Sequence, residues 1–277
     1  MYNPIKHLNI LVPLTLVTLL VAVISLYIIG LSTSHYKDVR SATYFTDMTD
    51  FEKAEFYFSS ENYDLSLARY YYEAAIKTDP RGNPLQWHQL GRIDFLEGEF
   101  DAALQNFDKQ TEYFDDEIPN VYYMYGLVYG FRADLYSRKD DFYQAEKYFL
   151  TFLEYEPESP WARVDLAWIY FSQRKFEDMQ IALDPVYEQQ QDNPWFLNMY
   201  GLALMNTGQV EEAVSKLTLA VKLSDAVTPA DWSRVYPGNS PTDWETGVNE
   251  FNQVLRLNLA LATQRLQADG DNTKIKI

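Results

Sequence analysis

Two similar segments between Pro160 and Ala226 constrain the fold of this chain more than any other feature. PWARVDLAWIYFSQRKFEDM and PWFLNMYGLALMNTGQVEEA begin 34 residues apart and align without a gap. A small residue stands seven positions after each leading proline, and large apolar residues follow at matching positions. These pairs are Ala167 and Gly201, Tyr170 and Leu204, Phe176 and Val210, and Leu183 and Leu217. A self-match at a fixed period of this length predicts an array of repeated units.

The same pattern occurs twice more upstream, led by Pro84 and Pro119. The unit at Pro84 carries Trp87, Leu90, Gly91, Gly98, Phe100, Ala103 and Phe107. We expect Gly91 and Ala103 to let two antiparallel helices approach closely, and Gly98 to take a positive φ in the turn between them. A proline leads each of the four units, and the first position of a helix suits proline because its missing N–H would be unpaired there.

The unit that begins at Pro119 departs from this spacing. Its Phe142, Ala145 and Phe149 fit the pattern only if seven extra residues lie within 130–141. Such an excess lengthens both helices by about one turn each, which predicts a hairpin that projects beyond its neighbours. Its tip would carry Arg132, Arg138 and Lys139, and two interpretations stay open for it: a tolerated surface insertion or a docking feature.

The order Trp–Leu–Gly–Gly–aromatic–Ala–aromatic from residue 87 to 107 resembles the tetratricopeptide repeat, a 34-residue helix–turn–helix unit. The resemblance covers about residues 48–226. It implies an all-α fold, a right-handed α-solenoid of such hairpins. The repeats would be 84–118, 119–159, 160–193 and 194–226 (together 84–226), after a degenerate first hairpin at 48–83. The family works mainly in protein–protein interaction, so the resemblance implies a scaffold that is not an enzyme.

Residues 8–31 contain no charged side chain. As a helix they would be about 36 Å long, enough to cross a hydrocarbon core of about 30 Å. We therefore expect 1–31 to be an N-terminal transmembrane anchor rather than a cleaved signal peptide, whose apolar region is shorter. Residues 32–47 would form a juxtamembrane linker, and Thr49 with Glu52 forms a capping-box sequence that opens the next helix. A short tail before a single span favours a body outside the cytoplasm, which is the periplasm for a bacterial chain.

The periodicity stops after residue 226. Residues 227–277 begin with an aromatic, proline-containing stretch at 228–244, followed by a predicted helix at 244–268. The predicted helix carries a broad apolar stripe of Val248, Phe251, Val254, Leu255, Leu257, Leu259 and Leu266. Repeat arrays need a terminal element with a polar outer face, so we expect this helix to cap the array.

Composition excludes several classes of function. The chain has 23 basic and 40 acidic residues, a net charge of −17, and such a charge opposes nucleic-acid binding. It favours basic partners or simply keeps the protein soluble. There is no cysteine, and the three histidines, His7, His35 and His88, are far apart in sequence. We find no sequence motif for catalysis or for binding a metal or phosphate, and expect no cofactor.

The first helices of such repeats line a groove, and the residues that face it are mostly aromatic or apolar. The candidate groove residues are His88, Arg92, Phe95, Tyr123, Met124, Leu127, Trp161, Trp168, Phe171, Trp195, Asn198 and Met199. Two interpretations stay open: the groove receives an apolar or aromatic segment of a partner protein, which could be basic, or the chain's own 228–244 segment fills it.

The sequence thus predicts a membrane-anchored adaptor that holds partner proteins while an envelope complex or a periplasmic enzyme assembles or matures. Two alternatives remain. One is a structural subunit held in a complex by the exposed apolar stripe of 244–268. The other is an enzyme or a metal-insertion factor that uses acidic clusters.

Overall fold

The structure, a computed structural model, describes residues 47–114, 119–235 and 240–274, in which every regular element is a helix. The predicted membrane anchor and nearly all of the linker lie outside these ranges. Within them, no helix is both long enough and apolar enough to cross a membrane.

The chain divides into two compact units, Met1–Arg138 and Lys139–Ile277. In the first unit the helices are α1 Asp50–Phe58, α2 Leu65–Thr78, α3 Pro84–Leu96, α4 Phe100–Tyr113 and α5 Pro119–Tyr136. In the second they are α6 Lys139–Tyr155, α7 Pro160–Ser172, α8 Phe176–Leu183, α9 Pro194–Asn206, α10 Val210–Ser224, α11 Pro229–Val235 and α12 Trp244–Lys274. Short 3₁₀ helices at Asp184–Gln189 and Pro241–Asp243 follow α8 and precede α12.

Local sequence signals account for the helix starts. Thr49 and Glu52 form the expected capping box: the Glu52 N–H donates to Thr49 Oγ1, and the Thr49 N–H donates to the Glu52 carboxylate. Each of the four leading prolines is the first residue of a helix. Asparagine or serine caps precede three of them, at Asn83, Ser159 and Asn193.

The turns that join the first and second helices of the four repeats from Pro84 onward share one geometry. A residue with positive φ occurs in each of them: Gly98 at 79°, Ser137 at 54°, Arg174 at 63° and Gly208 at 90°. The N–H of the next residue then donates to the carbonyl five residues earlier, at 2.8–3.0 Å. This is the Schellman arrangement, which satisfies carbonyls left open at a helix end. The positive φ predicted for Gly98 is confirmed.

Arg174 occupies a turn position at which glycine costs less, because a side chain with a Cβ is strained at positive φ. We expect Arg174→Gly to raise the free energy of unfolding by about 0.5–1 kcal/mol. The matched change at the equivalent position, Gly208→Ala, is expected to lower it by about 1 kcal/mol. Urea denaturation followed by circular dichroism measures both, and a shift of the same sign for the two variants would contradict the shared turn geometry.

The seven extra residues of the second repeat are shared between its two helices. Helices α3, α7 and α9 have 13 residues each, whereas α5 has 18 and α6 has 17. Gly91 stands seven residues before the positive-φ position of its turn, but Gly126 stands eleven before Ser137. Helix α6 in turn begins three residues before Phe142, whereas α4 begins at Phe100 itself. About one turn is therefore added to each helix. Projection of this hairpin stays a prediction.

The predicted basic tip needs one correction. Arg132 is buried, pairs with the Asp101 carboxylate of α4 and lies over the Tyr129 ring. It belongs to the body of α5, because the turn begins only at Ser137. Arg138 and Lys139 are exposed, and two aspartates follow them, so the positive charge at the tip is small.

The small residues predicted inside the hairpins do allow close helix contact. A Cβ added to Gly91 would lie 2.7 Å from Phe107 Cε1, and one added to Gly201 would lie 2.6 Å from Leu217 Cγ. Ala103 is fully buried. These distances are shorter than carbon atoms tolerate, so the repeats that contain Gly91 and Gly201 need glycine at this position.

The terminal helix α12 is six residues longer than the predicted 244–268. Besides Gly247, its buried positions up to residue 268 are Val248, Phe251, Leu255, Asn258 and Ala262, with alternating spacings of three and four. Val248, Phe251 and Leu255 pack in one cluster with Ala220 of α10, Leu197 of α9 and Trp232 of α11. Leu257 lies off this stripe and is 44% exposed, so its assignment to the apolar stripe is wrong. Val248, Phe251 and Leu255 of the predicted stripe are buried within the second unit, so these three residues are not exposed for contact with another subunit as the structural-subunit alternative expected.

Candidate protein-binding face of the first helices

The predicted groove residues lie on the first helices of the repeats, and each unit has its own part of this surface. We call the part on α3 and α5 the unit-1 face and the part on α7 and α9 the unit-2 face. The unit-1 face carries His88, Arg92, Phe95, Tyr123, Met124 and Leu127. The unit-2 face carries Trp161, Trp168, Phe171, Trp195, Asn198 and Met199.

On the unit-1 face, Arg92 is held by a polar network that reaches α1 and α2. Its guanidinium lies over the Phe58 ring, 5.0 Å from the ring centroid, and donates to Gln89 Oε1 at 2.6 Å. Gln89 Nε2 donates in turn to Glu55 Oε1 at 3.1 Å, and Tyr72 Oη donates to the same oxygen at 2.5 Å. Burial lowers the pKa of Arg92 and raises the pKa of Tyr72, where Glu55 adds to the effect. The network thus places a positive and a negative group close together among aromatic rings.

His88 lies beside this network and is neutral at pH 7. Its Nδ1 forms a 3.1 Å hydrogen bond with Gln110 Oε1, and its ring centroid lies 5.6 Å from that of Phe107. Burial lowers the pKa of His88 to about 4, and the positive charge of Arg92 adds to this shift. Protonation of His88 is therefore less favourable in the folded state than in the unfolded chain, where histidine binds a proton readily below pH 6.5.

His88 should make the stability of the protein depend on pH between about 6.5 and 4. Because the unfolded state binds more protons in this window, its free energy falls relative to the folded state as the pH falls. We expect this residue to remove about 2 kcal/mol of stability between pH 7 and pH 5. Urea denaturation at both pH values measures the loss, and His88→Gln should reduce it by that amount. Equal losses for the two proteins would contradict a depressed His88 pKa.

The remaining residues of the unit-1 face differ in how far they reach the surface. Phe95 packs edge-on against Phe131 of α5 with ring centroids 5.2 Å apart. Tyr123 and Leu127 are partly exposed, whereas Met124 is buried at 8% exposure. Met124 is therefore part of the packing beneath the face rather than a contact residue in this conformation.

The start of α3 adds an exposed apolar residue to the same face. Leu85 follows the leading Pro84 and is 48% exposed. The unit-1 face thus offers partly exposed aromatic and apolar side chains around a fixed Arg92.

Two aromatic residues, Trp161 and Trp195, lie at the start of the two helices of the unit-2 face. Trp161 is 37% exposed and packs edge-on against Trp195, with ring centroids 6.3 Å apart. Trp168 and Phe171 are partly exposed on α7, and Phe171 also contacts Phe176 of α8.

At α9 the unit-2 face is covered by the terminal helix of the same chain. The Trp195 ring stacks on Phe251 of α12, with centroids 4.8 Å apart and an interplanar angle of 10°. Asn198 is buried, and its Oδ1 accepts a 2.8 Å hydrogen bond from Asn258 Nδ2. Met199 is partly exposed.

The ring stack on Trp195 and the hydrogen bond to Asn198 come from α12, not from the 228–244 segment considered from the sequence. Trp232 of that segment packs on α12, because its ring lies 6.3 Å from that of Phe251 and fills the space above Gly247. Residues 236–239 lie outside the described ranges. Part of the candidate groove is therefore self-occupied, and the helix that occupies it is α12.

Sequence reasoning missed the polar groups that hold the unit-1 helices together. Asp94 is 2% exposed and accepts from Arg69 of α2 at 2.6 Å and from Asn106 of α4 at 2.5 Å. A signal was present: Asp94 stands three and four residues after Gly91 and Leu90, on the helix side that these residues bury. Across the residues with described structure, we find no group of three or more His, Asp or Glu side chains arranged to hold a metal ion.

Comparison with known proteins supports the repeat assignment. Residues 127–159 match the family model described as the tetratricopeptide repeat. This match falls on the lengthened repeat and reaches from α5 into α6. No curated protein matches the chain significantly.

Several solved structures share the fold at low sequence identity. PilW, described as a widely conserved type IV pilus biogenesis factor, superposes with a TM-score of 0.53 and 18% identity over 74% of this chain and 96% of its own. PilF of Pseudomonas aeruginosa gives 0.52 and 15%, over 79% of this chain and 96% of its own. A thermophilic tetratricopeptide-repeat protein of Thermus thermophilus gives 0.51 and 14%, over 73% of this chain and 96% of its own. The described part of this chain therefore has an all-helical fold of the tetratricopeptide-repeat type.

Proposed function

We propose that this protein is a membrane-anchored adaptor, which holds partner proteins while an envelope complex or a periplasmic enzyme assembles or matures. Partner segments of apolar or aromatic character would bind the first helices of the repeats. Residues 8–31 would anchor the chain, and the repeats would lie outside the cytoplasm. Anchoring raises the effective concentration of partners at the membrane.

One observation carries the binding part of this proposal. The unit-2 face holds an amphipathic helix, α12, through an aromatic stack on Trp195 and an amide hydrogen bond to Asn198. A surface of this composition therefore has the chemistry to bind an apolar helical segment. The unit-1 face has similar chemistry, with Leu85, Phe95 and Leu127 at least partly exposed.

The fold is compatible with an assembly role, although fold alone does not determine function. The structurally similar PilW is described as a pilus biogenesis factor. The composition of the chain adds a constraint, since a net charge of −17 favours partners that carry basic residues beside their apolar ones.

The adaptor function is tested by capturing partners with the full chain, extracted from its native membrane in detergent. We expect a defined set of proteins to co-purify, and Leu85→Ser to reduce its recovery about tenfold, as expected for one buried leucine contact. The matched control is Leu67→Ser on the second helix α2, where a similarly exposed leucine (38%) lies outside the face.

Equal recovery with both variants would exclude the unit-1 face as the binding surface. Recovery of no partner by the unmodified chain would contradict the adaptor function. The membrane anchor is tested separately: the full chain should remain in the membrane fraction after a carbonate wash, and deletion of residues 8–31 should release it.

A further inference from the structure

Helix α12 has the contacts of a bound ligand as well as those of a structural cap. Its Phe251 stacks on Trp195, its Asn258 donates to Asn198, and its Arg256 pairs with Asp225 at the end of α10 at 2.7 Å. These three contacts are seven residues or fewer apart on one helix. They join an aromatic, an amide and a cationic group to complementary groups of the unit.

Polar groups at this interface weaken it. Trp195 Nε1 is a buried donor, and Asn252 Oδ1, next to Phe251, is a buried acceptor; neither has a hydrogen-bond partner among the described residues. A buried polar group without a hydrogen-bond partner loses its hydration and gains no bond in return, which destabilises the contact that buries it. The Asn198–Asn258 pair also lies where two apolar side chains would pack without desolvating amides. A helix that served only as a permanent cap would gain no stability from these polar positions.

The polar positions do specify which helix fits. The buried stripe of α12 places an aromatic residue at 251 and an amide at 258, with apolar or small residues at 248, 255 and 262. A basic residue at 256 lies opposite the Asp225 carboxylate. A helix that supplied an acceptor for Trp195 Nε1 would satisfy a donor that α12 leaves unpaired.

From these contacts we propose that the unit-2 face is a docking site for an amphipathic helix of a partner protein and that α12 is its exchangeable occupant. The partner helix carries an aromatic residue, a basic residue five positions later and an amide seven positions later. This inference deepens the proposed adaptor function and rests on it, since a partner protein must supply the incoming helix. The partner helix can bind only those chains in which α12 has left the face. Its apparent affinity for the protein is therefore lower than its affinity for the uncovered face.

The test uses a labelled synthetic peptide of residues 244–274 as the incoming helix and the full chain in detergent micelles as the receptor. Changes made only in the chain weaken the resident helix and leave the peptide intact. We expect Phe251→Ala in the chain to increase the affinity for the peptide about tenfold or more, measured by fluorescence anisotropy, because the resident helix competes less well. Asn258→Ala is the second variant and should act in the same direction if Phe251→Ala unfolds the chain.

Two controls separate exchange from nonspecific binding. Leu257→Ala changes an exposed residue of the same helix and should leave the affinity within about twofold of the unmodified chain. Asn198→Leu, combined with Phe251→Ala, changes the receptor face and should reduce the affinity about tenfold, because the amide of the peptide then loses its partner. Empty micelles measure peptide that binds detergent alone.

The proposal is overturned if neither folded variant binds the peptide at about 100 µM, a concentration at which a weak helix–groove complex would be populated. It is also overturned if binding is insensitive to Asn198→Leu. Failure of the adaptor function gives a different result, in which the peptide exchanges with α12 but the full chain captures no protein.

Discussion

Gly201→Trp is expected to lower the free energy of unfolding of the second unit by about 3 kcal/mol or more and to separate α9 from α10. Gly201 faces Leu217 so closely that even a Cβ would lie 2.6 Å from Leu217 Cγ. Leu217 is fully buried and cannot move aside without displacing other core residues. An indole at this position must therefore either break the helix contact or leave the core. Urea denaturation followed by circular dichroism measures the loss.

The control places the same indole on the surface. Leu219→Trp changes a residue of α10 that is 37% exposed, and we expect an effect within about 0.5 kcal/mol. A graded test combines Gly201→Ala with Leu217→Ala, because removal of the leucine branch creates room for the added methyl. The pair should be less destabilised than the sum of the single changes. An unchanged denaturation curve for Gly201→Trp would refute the repeat register that places Gly201 at the helix contact.

Asp94→Ala is expected to lower the free energy of unfolding of the first unit by about 2–4 kcal/mol. The Asp94 carboxylate joins three helices, since Arg69 of α2 and Asn106 of α4 both donate to it. Removal of the acceptor leaves the Asn106 amide without this bond and leaves Arg69 with Glu97 as its nearest remaining carboxylate, at 2.5 Å. Thermal or urea denaturation of the full chain measures the effect.

The matched control for Asp94 is Glu97→Gln, which changes the other carboxylate bonded to Arg69. Its side chain is 34% exposed, so water screens the interaction and we expect a loss of about 1 kcal/mol or less. If the two variants were equally stable, the buried position of Asp94 would not contribute to the fold as inferred. Asp94→Asn should fall between them, because the amide still accepts from Arg69 but carries no charge.

Much of the hairpin architecture is predictable from the sequence because its signals are local. Proline at the first helical position, the capping box at Thr49 and Glu52, and glycine at the turn position 98 act within a few residues of themselves. Such signals depend on backbone geometry rather than on distant contacts. The 34-residue period adds the spacing of the units, so the helices and turns of each repeat follow from it.

The surface of the candidate site was only partly predictable. Helical periodicity selects residues that share one helix face, and the residues selected in this way include Trp161 on α7 and Trp195 and Asn198 on α9. The same periodicity contains no information about which other segment covers that face. It predicted a broad stripe on the last helix, but Leu257 is exposed and Asn258 is buried, because the true stripe follows the contacts with α9 and α10.

The sequence by itself therefore determined the repeat, the starts and turns of its helices and the residues at the closest helix contacts, because these depend on neighbours at fixed short spacings. Tertiary structure alone decided that α12 covers Trp195, that Asp94 joins three helices and that Arg132 is buried against Asp101. Each of these pairs residues 12 to 56 positions apart, and the energy of a buried polar or aromatic contact depends on which groups meet once the helices have packed.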